Sequence, residues 1–206
     1  LYLGDNARYP YGNKSAETIT TYASEAAKFL VDHNAKLMIV ACGTASSVAT
    51  KHLQETSPIP VVGIVEGFCS YVNEIIPNKD VTVAVLATRF TIKSKRFEEI
   101  LNSYGIQNVW SKACPLFVPV VEEGISKGDL VNNTCDLYLA DIPLDTSVVM
   151  LACTHYPRIV KPIAHYLKNK TKRSVIYKAL EGDIILSEGT SRKRPIYMVD
   201  SSLAII

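Results

Sequence analysis

Apolar residues follow two alternating patterns along this chain. Short continuous apolar runs, such as 37–41 and 147–151, are typical of strands buried on both faces of a parallel sheet. Between these runs, apolar residues recur every three or four positions, as in 15–33, which predicts helices with one buried face. Strands that alternate with helices predict an α/β fold with mostly parallel sheets flanked by helices.

Turn and cap residues set the predicted bounds of these elements. The helices are predicted at 15–33, 44–54, 67–76, 90–104, 116–127, 129–140 and 157–168. The strands are predicted at 37–41, 59–64, 81–87, 106–110 and 147–151. The pattern weakens beyond residue 175, where 175–179, 184–186 and 195–199 are candidate strands.

Two of the predicted strands end in nearly the same way. One leads into Ala-Cys at Cys42, and the other leads into Ala-Cys at Cys153. Small or hydroxylated residues follow each cysteine, where a helix could begin. Ligands bind at the carboxyl ends of strands in open α/β sheets, so both thiols are expected at the edge of a binding crevice. The repetition indicates two similar domains that face each other across a cleft.

The two thiols are the leading candidates for chemistry. The amino end of a helix stabilises a thiolate, and His155 adds a proton acceptor beside Cys153. Two opposed thiols suit inversion at a carbon next to a carboxylate, in which one removes a proton and the other supplies one. Disulfide formation and nucleophilic catalysis are less natural alternatives, and a buried cysteine is often only an apolar filler.

Composition and charge narrow the class of protein. The chain has 206 residues, of which 48% are hydrophobic, and a formal net charge of +2. Its basic residues are spread along the chain, and the basic stretches 168–173 and 192–194 are typical of solvated loops, so no nucleic-acid partner is expected. No apolar stretch approaches the roughly 20 residues of a membrane helix, and no signal peptide is visible, so we expect no membrane partner and a cytoplasmic location.

The five cysteines are scattered and include no CxxC pair. This spacing argues against a disulfide framework and against a metal site. Cys69, Cys114 and Cys135 are interpreted as packing residues. The chain begins and ends inside predicted elements, so we expect it to be an interior portion of a longer protein.

Three segments of the chain resemble motifs of bacterial glutamate racemases. Residues 4–15 (Gly-Asp-Asn-Ala-Arg-Tyr-Pro-Tyr-Gly-Asn-Lys-Ser) resemble the pattern Gly-Asp-x-Ala-Arg-x-Pro-Tyr-Gly-x-Lys-Ser. Residues 41–46 resemble Ala-Cys-Asn-Thr-Ala-Ser, and residues 152–157 resemble Gly-Cys-Thr-His-Tyr-Pro. Segments 59–66 and 116–123 also match, and the resemblance extends from residue 1 to about 165.

This resemblance implies a racemase without cofactor that makes D-glutamate from L-glutamate for peptidoglycan. It also implies two α/β domains, the first formed by 1–66 plus 176–206 and the second by 67–175, with the active site between them. By the family pattern, Cys42 acts on the D-glutamate face and Cys153 on the L-glutamate face, and His155 assists Cys153.

The resemblance implies further residues that hold the carboxylates and the ammonium group of the substrate. They are Pro10, Tyr11, Gly12, Gly43, Thr44, Thr154 and His155, with Glu122 or Glu123 as a nearby polar support. Simpler roles fit the same residues when the family is set aside: a turn at 10–12, a helix cap at Thr44 and a solvated helix face at 122–123.

The chain departs from the family pattern at three points. Gly43 stands where the family has asparagine, Gly67 stands where it has proline, and the family's amino-terminal Asp-Ser-Gly segment is absent. These departures leave two alternatives open: a racemase of aspartate or another amino acid, and a homologue that binds without turnover. The oligomeric state is also open, with a homodimer as the candidate assembly.

Overall fold

The computed structural model describes residues 1–179, 182–190 and 194–200 and contains a larger and a smaller β-sheet. The helices are α1 (Ala16–Asp32), α2 (Gly43–Thr56), α3 (Ile64–Ile75), α4 (Arg89–Lys93), α5 (Arg96–Ser103), α6 (Phe117–Glu122), α7 (Asp129–Leu139) and α8 (Val160–Thr171). The strands are β1 (Met38–Val40), β2 (Val61–Gly63), β3 (Thr82–Ala87), β4 (Val109–Ala113), β5 (Thr146–Leu151), β6 (Val175–Ala179), β7 (Gly182–Ser187) and β8 (Ile196–Asp200).

The larger sheet has six strands in the order β4-β3-β5-β8-β6-β7. All neighbouring pairs are parallel except β6 and β7, which form an antiparallel pair. The smaller sheet is the parallel pair β1 and β2. The predicted α/β class with mostly parallel sheets flanked by helices is therefore confirmed.

Helices cover both faces of the larger sheet. Successive side chains of its central strands point to opposite sides, so each strand contributes to a buried cluster on either face. Ala84 and Leu86 of β3 pack in one buried cluster with side chains of α6, α7 and α8. Val83 and Val85 pack in a second cluster with side chains of α3 and α5. Burial on both faces explains why β3 and β5 are continuous apolar runs in the sequence.

The smaller sheet is covered on one face by α1 and α2. Met38 and Val61 are paired across β1 and β2 and are buried with Ala23, Ala49 and Leu53. The next pair in the register, Ile39 and Val62, points to the opposite face, where these side chains are 45% and 46% exposed.

The region predicted as one helix over 90–104 forms two helices. Lys95 has φ 57° and ψ 8°, a left-handed conformation that ends α4 and starts α5 in a new direction. The Thr88 side chain caps α4 by accepting a hydrogen bond from the Thr91 amide. Propensity favours a continuous helix at Lys95, so the break could not be found from the pattern alone.

Strand β4 begins three residues later than predicted. Its parallel register places Val109 opposite Val83 and Ala113 opposite Ala87. Ile106, the predicted first residue, is instead a fully buried core side chain in the turn after α5.

The carboxyl-terminal strands pair in the larger sheet. Tyr197 to Asp200 of β8 lie opposite Val148 to Leu151 of β5, and β6 pairs with β8 on its other side. This pairing differs from the prediction that 176–206 complete the fold of 1–66. The weak sequence pattern beyond 175 could not show the buried positions of Met198 and Val199, which place this segment in the cores of the larger sheet. Residues 201–206 lie outside the described residues.

Arg173 is an exception within the basic stretch that was interpreted as a solvated loop, since it is only 4% exposed. Its guanidinium donates hydrogen bonds to the carbonyl oxygens of Thr146 and Arg194, both at 2.6 Å. It also reaches the carbonyl oxygens of Leu144 at 3.4 Å and Pro195 at 3.2 Å. Burial lowers the pKa of Arg173. The guanidinium therefore joins the segments that lead into β5 and β8.

In the part of the chain that the structure describes, no helix has the length and apolar character needed to cross a membrane.

Replacing Arg173 with Met tests this role. The carbonyl oxygens would lose their charged donor, and we expect the free energy of unfolding to fall by about 2 kcal/mol. The exposed Arg158 provides the control, since Arg158→Met removes the same charge at the surface. Urea unfolding measures both variants, and equal stability would contradict the role assigned to Arg173.

Candidate active site

Cys42 lies at the start of α2, directly beyond β1. It is the residue that caps the amino end of the helix, and its carbonyl oxygen accepts the first helical hydrogen bond from the Ser46 amide at 2.8 Å. Its side chain is exposed. The unpaired amides of the first helical turn favour negative charge at this position.

Cys153 follows β5 and has a different environment. It is 8% exposed and belongs to the buried cluster beneath α6 and α8. Burial raises the pKa of Cys153 to about 12, the His155 backbone amide lowers it, and the charge of Cys42 raises it. Cys153 is therefore a neutral thiol at neutral pH, and a thiolate at the nearby Cys42 further disfavours its ionisation.

His155 lies between Cys153 and Glu122. Its Nδ1 is 3.8 Å from the Cys153 sulfur, and its Nε2 is hydrogen-bonded to a carboxylate oxygen of Glu122. The Thr154 hydroxyl is 3.5 Å from the same Nδ1. A carboxylate hydrogen-bonded to one ring nitrogen fixes the orientation of the imidazole. Glu122, at the end of α6, contacts the histidine rather than forming a purely solvated face.

The two cysteine segments approach each other through Gly43. A Cβ atom at this position would lie 2.7 Å from the carbonyl oxygen of Ala152. Only glycine permits this approach without movement of the backbone. The first residue of α2 therefore contacts the residue that precedes Cys153.

The segment before α1 lies against the same region. Pro10 leads into a single turn of 3-10 helix, Tyr11–Asn13, and the Tyr11 hydroxyl donates a hydrogen bond to the Asp5 carboxylate. Burial raises the pKa of Tyr11, and the charges of Asp5 and Cys42 contribute in the same direction.

A Cβ at Gly12 would lie 2.8 Å from the Thr88 Cβ, so this turn packs closely on the end of β3.

Three buried hydroxyl groups meet between α2 and α4. The Thr44 hydroxyl lies 2.9 Å from that of Thr88 and 3.3 Å from that of Thr91, and the last two are 3.0 Å apart. The sequence prediction included Thr44 and missed the other two. Thr88 follows β3 directly and caps a helix. The cysteines were selected because they follow strands, and the same criterion could have found Thr88.

The structure thus brings the predicted residues together in two adjoining groups. Cys153, Thr154, His155 and Glu122 form one group, and Tyr11, Gly12, Cys42, Gly43 and Thr44 lie around the start of α2. Cys69, Cys114 and Cys135 lie in the core, as predicted. Among the described residues, no three His, Cys, Asp or Glu side chains converge as a metal site requires.

Comparison with known proteins identifies this arrangement. A model of the Asp/Glu/hydantoin racemase family matches residues 1–176, which includes both cysteines. The chain belongs to this racemase family.

Individual relatives agree with the family match. A glutamate racemase from Aquifex aeolicus is 39% identical over 206 residues, which are 98% of this chain and 79% of the relative. One from Helicobacter pylori strain HPAG1 is 39% identical over 166 residues, which are 81% of this chain and 65% of the relative. The chain thus spans just under two thirds of this second relative.

A solved structure is similar over the same region. The crystal structure of a glutamate racemase from Francisella tularensis, in complex with D-glutamate, superposes with a TM-score of 0.72 at 31% identity. The superposition covers 95% of this chain and 75% of the other. The racemase fold therefore extends over nearly the whole of the chain.

The environment of Cys153 predicts how this racemase reacts with iodoacetamide. Since alkylation requires the thiolate, a thiol of pKa about 12 should react about tenfold faster for each pH unit from 7 to 10. Peptide mass spectrometry after timed labelling follows Cys153, and the exposed Cys42 should be labelled first. A Cys153 rate that reaches a plateau near pH 9, as for a thiol of ordinary pKa about 8.5, would contradict the assigned environment.

The contact at Gly43 predicts that any side chain at this position lowers the free energy of unfolding. In Gly43→Ala, the new methyl group would press on the Ala152 carbonyl, and we expect a loss of about 1–3 kcal/mol of folding free energy. Gly4→Ala is the control, because its Cβ would meet the ring of the exposed Tyr2 at 3.3 Å, which can move. Thermal and urea unfolding measure both, and a Gly43→Ala variant as stable as the control would show that the two segments can separate freely.

Proposed function

We propose that this chain carries the active site of a glutamate racemase, which interconverts L- and D-glutamate without a cofactor. The observation that carries the proposal is the contact of Gly43 with Ala152, which brings the thiol after β1 next to the thiol after β5. The names of the relatives support glutamate as the substrate. The product D-glutamate would serve peptidoglycan synthesis.

The reaction is a transfer of one proton at Cα. A thiolate takes the Cα proton and becomes a thiol, while the electron pair of the C–H bond remains on the substrate. The opposite thiol then gives its proton to the other face of the carbon and becomes a thiolate. Each turnover leaves the two sulfurs with exchanged protonation states. The reverse reaction restores them, and so does proton exchange with water between turnovers, which allows repeated turnover in one direction.

The two sulfurs are suited to complementary starting states. Cys153 is a buried, neutral thiol and can serve as the acid. Cys42 is exposed at the amino end of α2, where the helix favours negative charge, and can serve as the base. By the family pattern, Cys42 then acts on D-glutamate, and Cys153 acts on L-glutamate in the opposite direction.

His155 and Glu122 allow Cys153 to change its protonation state despite burial. His155 Nδ1 lies 3.8 Å from the sulfur and can accept its proton, and Glu122 stabilises the imidazolium that results. The thiolate is thereby formed next to a positive charge, which offsets the cost of burying it.

The substrate would be held by groups around the start of α2 and the end of β5. Backbone amides of Tyr11, Gly12 and Gly43 and the Thr44 hydroxyl are suited to its carboxylates, and Thr154 lies on the Cys153 side. Hydrogen bonds to the α-carboxylate stabilise the negative charge that develops there when the Cα proton leaves.

The proposal includes two properties of the whole protein, a cytoplasmic location and a homodimer. Cell fractionation tests the first. Sedimentation velocity tests the second, with a single species of monomer mass as the contrary result.

Hydrogen exchange at Cα in D2O tests the mechanism. We expect the protein to exchange and invert both enantiomers of glutamate, and we expect Cys42→Ser and Cys153→Ser to lower inversion at least about 10²-fold, since an alcohol is a poor base. Each single-thiol variant should retain exchange for one enantiomer: L-glutamate in Cys42→Ser and D-glutamate in Cys153→Ser. NMR and polarimetry measure the two quantities.

Cys135→Ala, which removes a core thiol, is the matched control and should retain turnover per folded molecule. Exchange of aspartate alone would move the assignment to another amino-acid racemase. Binding of glutamate without any exchange would identify a binding homologue.

A further inference from the structure

We propose that Tyr9 is a positioning residue for His155, whose imidazole it holds by stacking on one face of the ring. This inference rests on the proposed function, in which His155 moves the proton of Cys153. Tyr9 stands at a position that the family motif of residues 4–15 does not specify.

The two rings form a stacked pair. Their centroids are 5.8 Å apart, and their planes are inclined by 28°. These values lie within the range in which aromatic pairs attract each other. The Tyr9 side chain is partly exposed and covers the imidazole from the side of the segment that precedes α1.

The stacking supplies a constraint that the other contacts of His155 lack. Glu122 holds Nε2, and Cys153 and Thr154 lie near Nδ1. The two contacts at Nδ1 are long, 3.8 Å to the Cys153 sulfur and 3.5 Å to the Thr154 hydroxyl, so they oppose rotation of the ring about its Cβ–Cγ bond only weakly. A flat partner on the ring face opposes that rotation, and it also keeps water from one side of the proton path.

Tyr9 acts through its ring rather than through its hydroxyl group. Burial raises the pKa of Tyr9, and the negative charges of Glu122 and Cys153 raise it further. The phenol is therefore uncharged in the neutral range and does not act there as a phenolate base. The ring alone should be sufficient for the positioning role.

Kinetics of Tyr9 variants test the proposal. Tyr9→Leu should lower kcat about tenfold with KM for glutamate changed less than about twofold, because the geometry of proton transfer is lost and the substrate site is not. Tyr9→Phe should restore kcat, since it keeps the ring. Tyr104→Leu removes an exposed tyrosine elsewhere and is the control. A rise in KM at constant kcat, or a Tyr9→Phe variant as slow as Tyr9→Leu, would overturn the proposal.

Alkylation of Cys153 tests the same role without glutamate. Tyr9→Leu should slow iodoacetamide labelling of Cys153 several-fold in the native protein, and it should have no effect in a His155→Asn background. Faster labelling, or an equal change in both backgrounds, would mean that Tyr9 only shields the sulfur and would overturn the proposal. Tyr9→Met, which has no ring, gives a second comparison if Tyr9→Leu does not fold.

The two assays separate the possible failures. If the protein does not turn over glutamate but Tyr9→Leu slows labelling of Cys153 only when His155 is present, the proposed function fails and the positioning of His155 by Tyr9 stands. If it turns over glutamate and the Tyr9 variants match the control, only the role of Tyr9 fails.

Discussion

The close approach of Gly43 to the Ala152 carbonyl is the constraint on which the candidate site depends. The thiols follow strands of two different sheets, and parallel strands by themselves place ligands only at the edge of their own sheet. The missing Cβ at Gly43 lets the start of α2 lie directly on the end of β5. The absence of a side chain at Gly43 thus allows the residues that follow β1 and β5 to lie next to each other.

The sequence was sufficient for the main features of the fold and for most of the site. The pattern identified the buried strands because burial on both faces leaves the continuous apolar runs 83–87 in β3 and 148–151 in β5. The paired Ala-Cys segments identified the two thiols, because ligands bind at the carboxyl ends of strands in open α/β sheets generally. His155 was found from its position two residues after Cys153, and the resemblance to glutamate racemases pointed to Glu122. A periodic pattern could not have brought these two residues together across 33 positions.

The remaining features depend on tertiary contacts that have no local signal. The left-handed Lys95 separates α4 from α5 although its neighbours favour a helix. Arg173 is interpreted from sequence as a surface charge, but four carbonyl oxygens that meet only in the folded chain hold it inside. Strand β8 joins β5 through a register that weak carboxyl-terminal patterning does not specify. Tyr9 stacks on His155 although the two residues are far apart in the sequence, so this contact could not be found from spacing.

The unequal surroundings of the two thiols have a consequence for the direction of the proposed reaction. Two enantiomers have the same free energy in water, so the ratio of kcat/KM in the two directions must equal one, whatever the protein does. Burial of Cys153 and exposure of Cys42 therefore cannot favour either enantiomer at equilibrium. The asymmetry can act only on the rates of the individual steps, so a direction with a larger kcat must have a KM larger by the same factor.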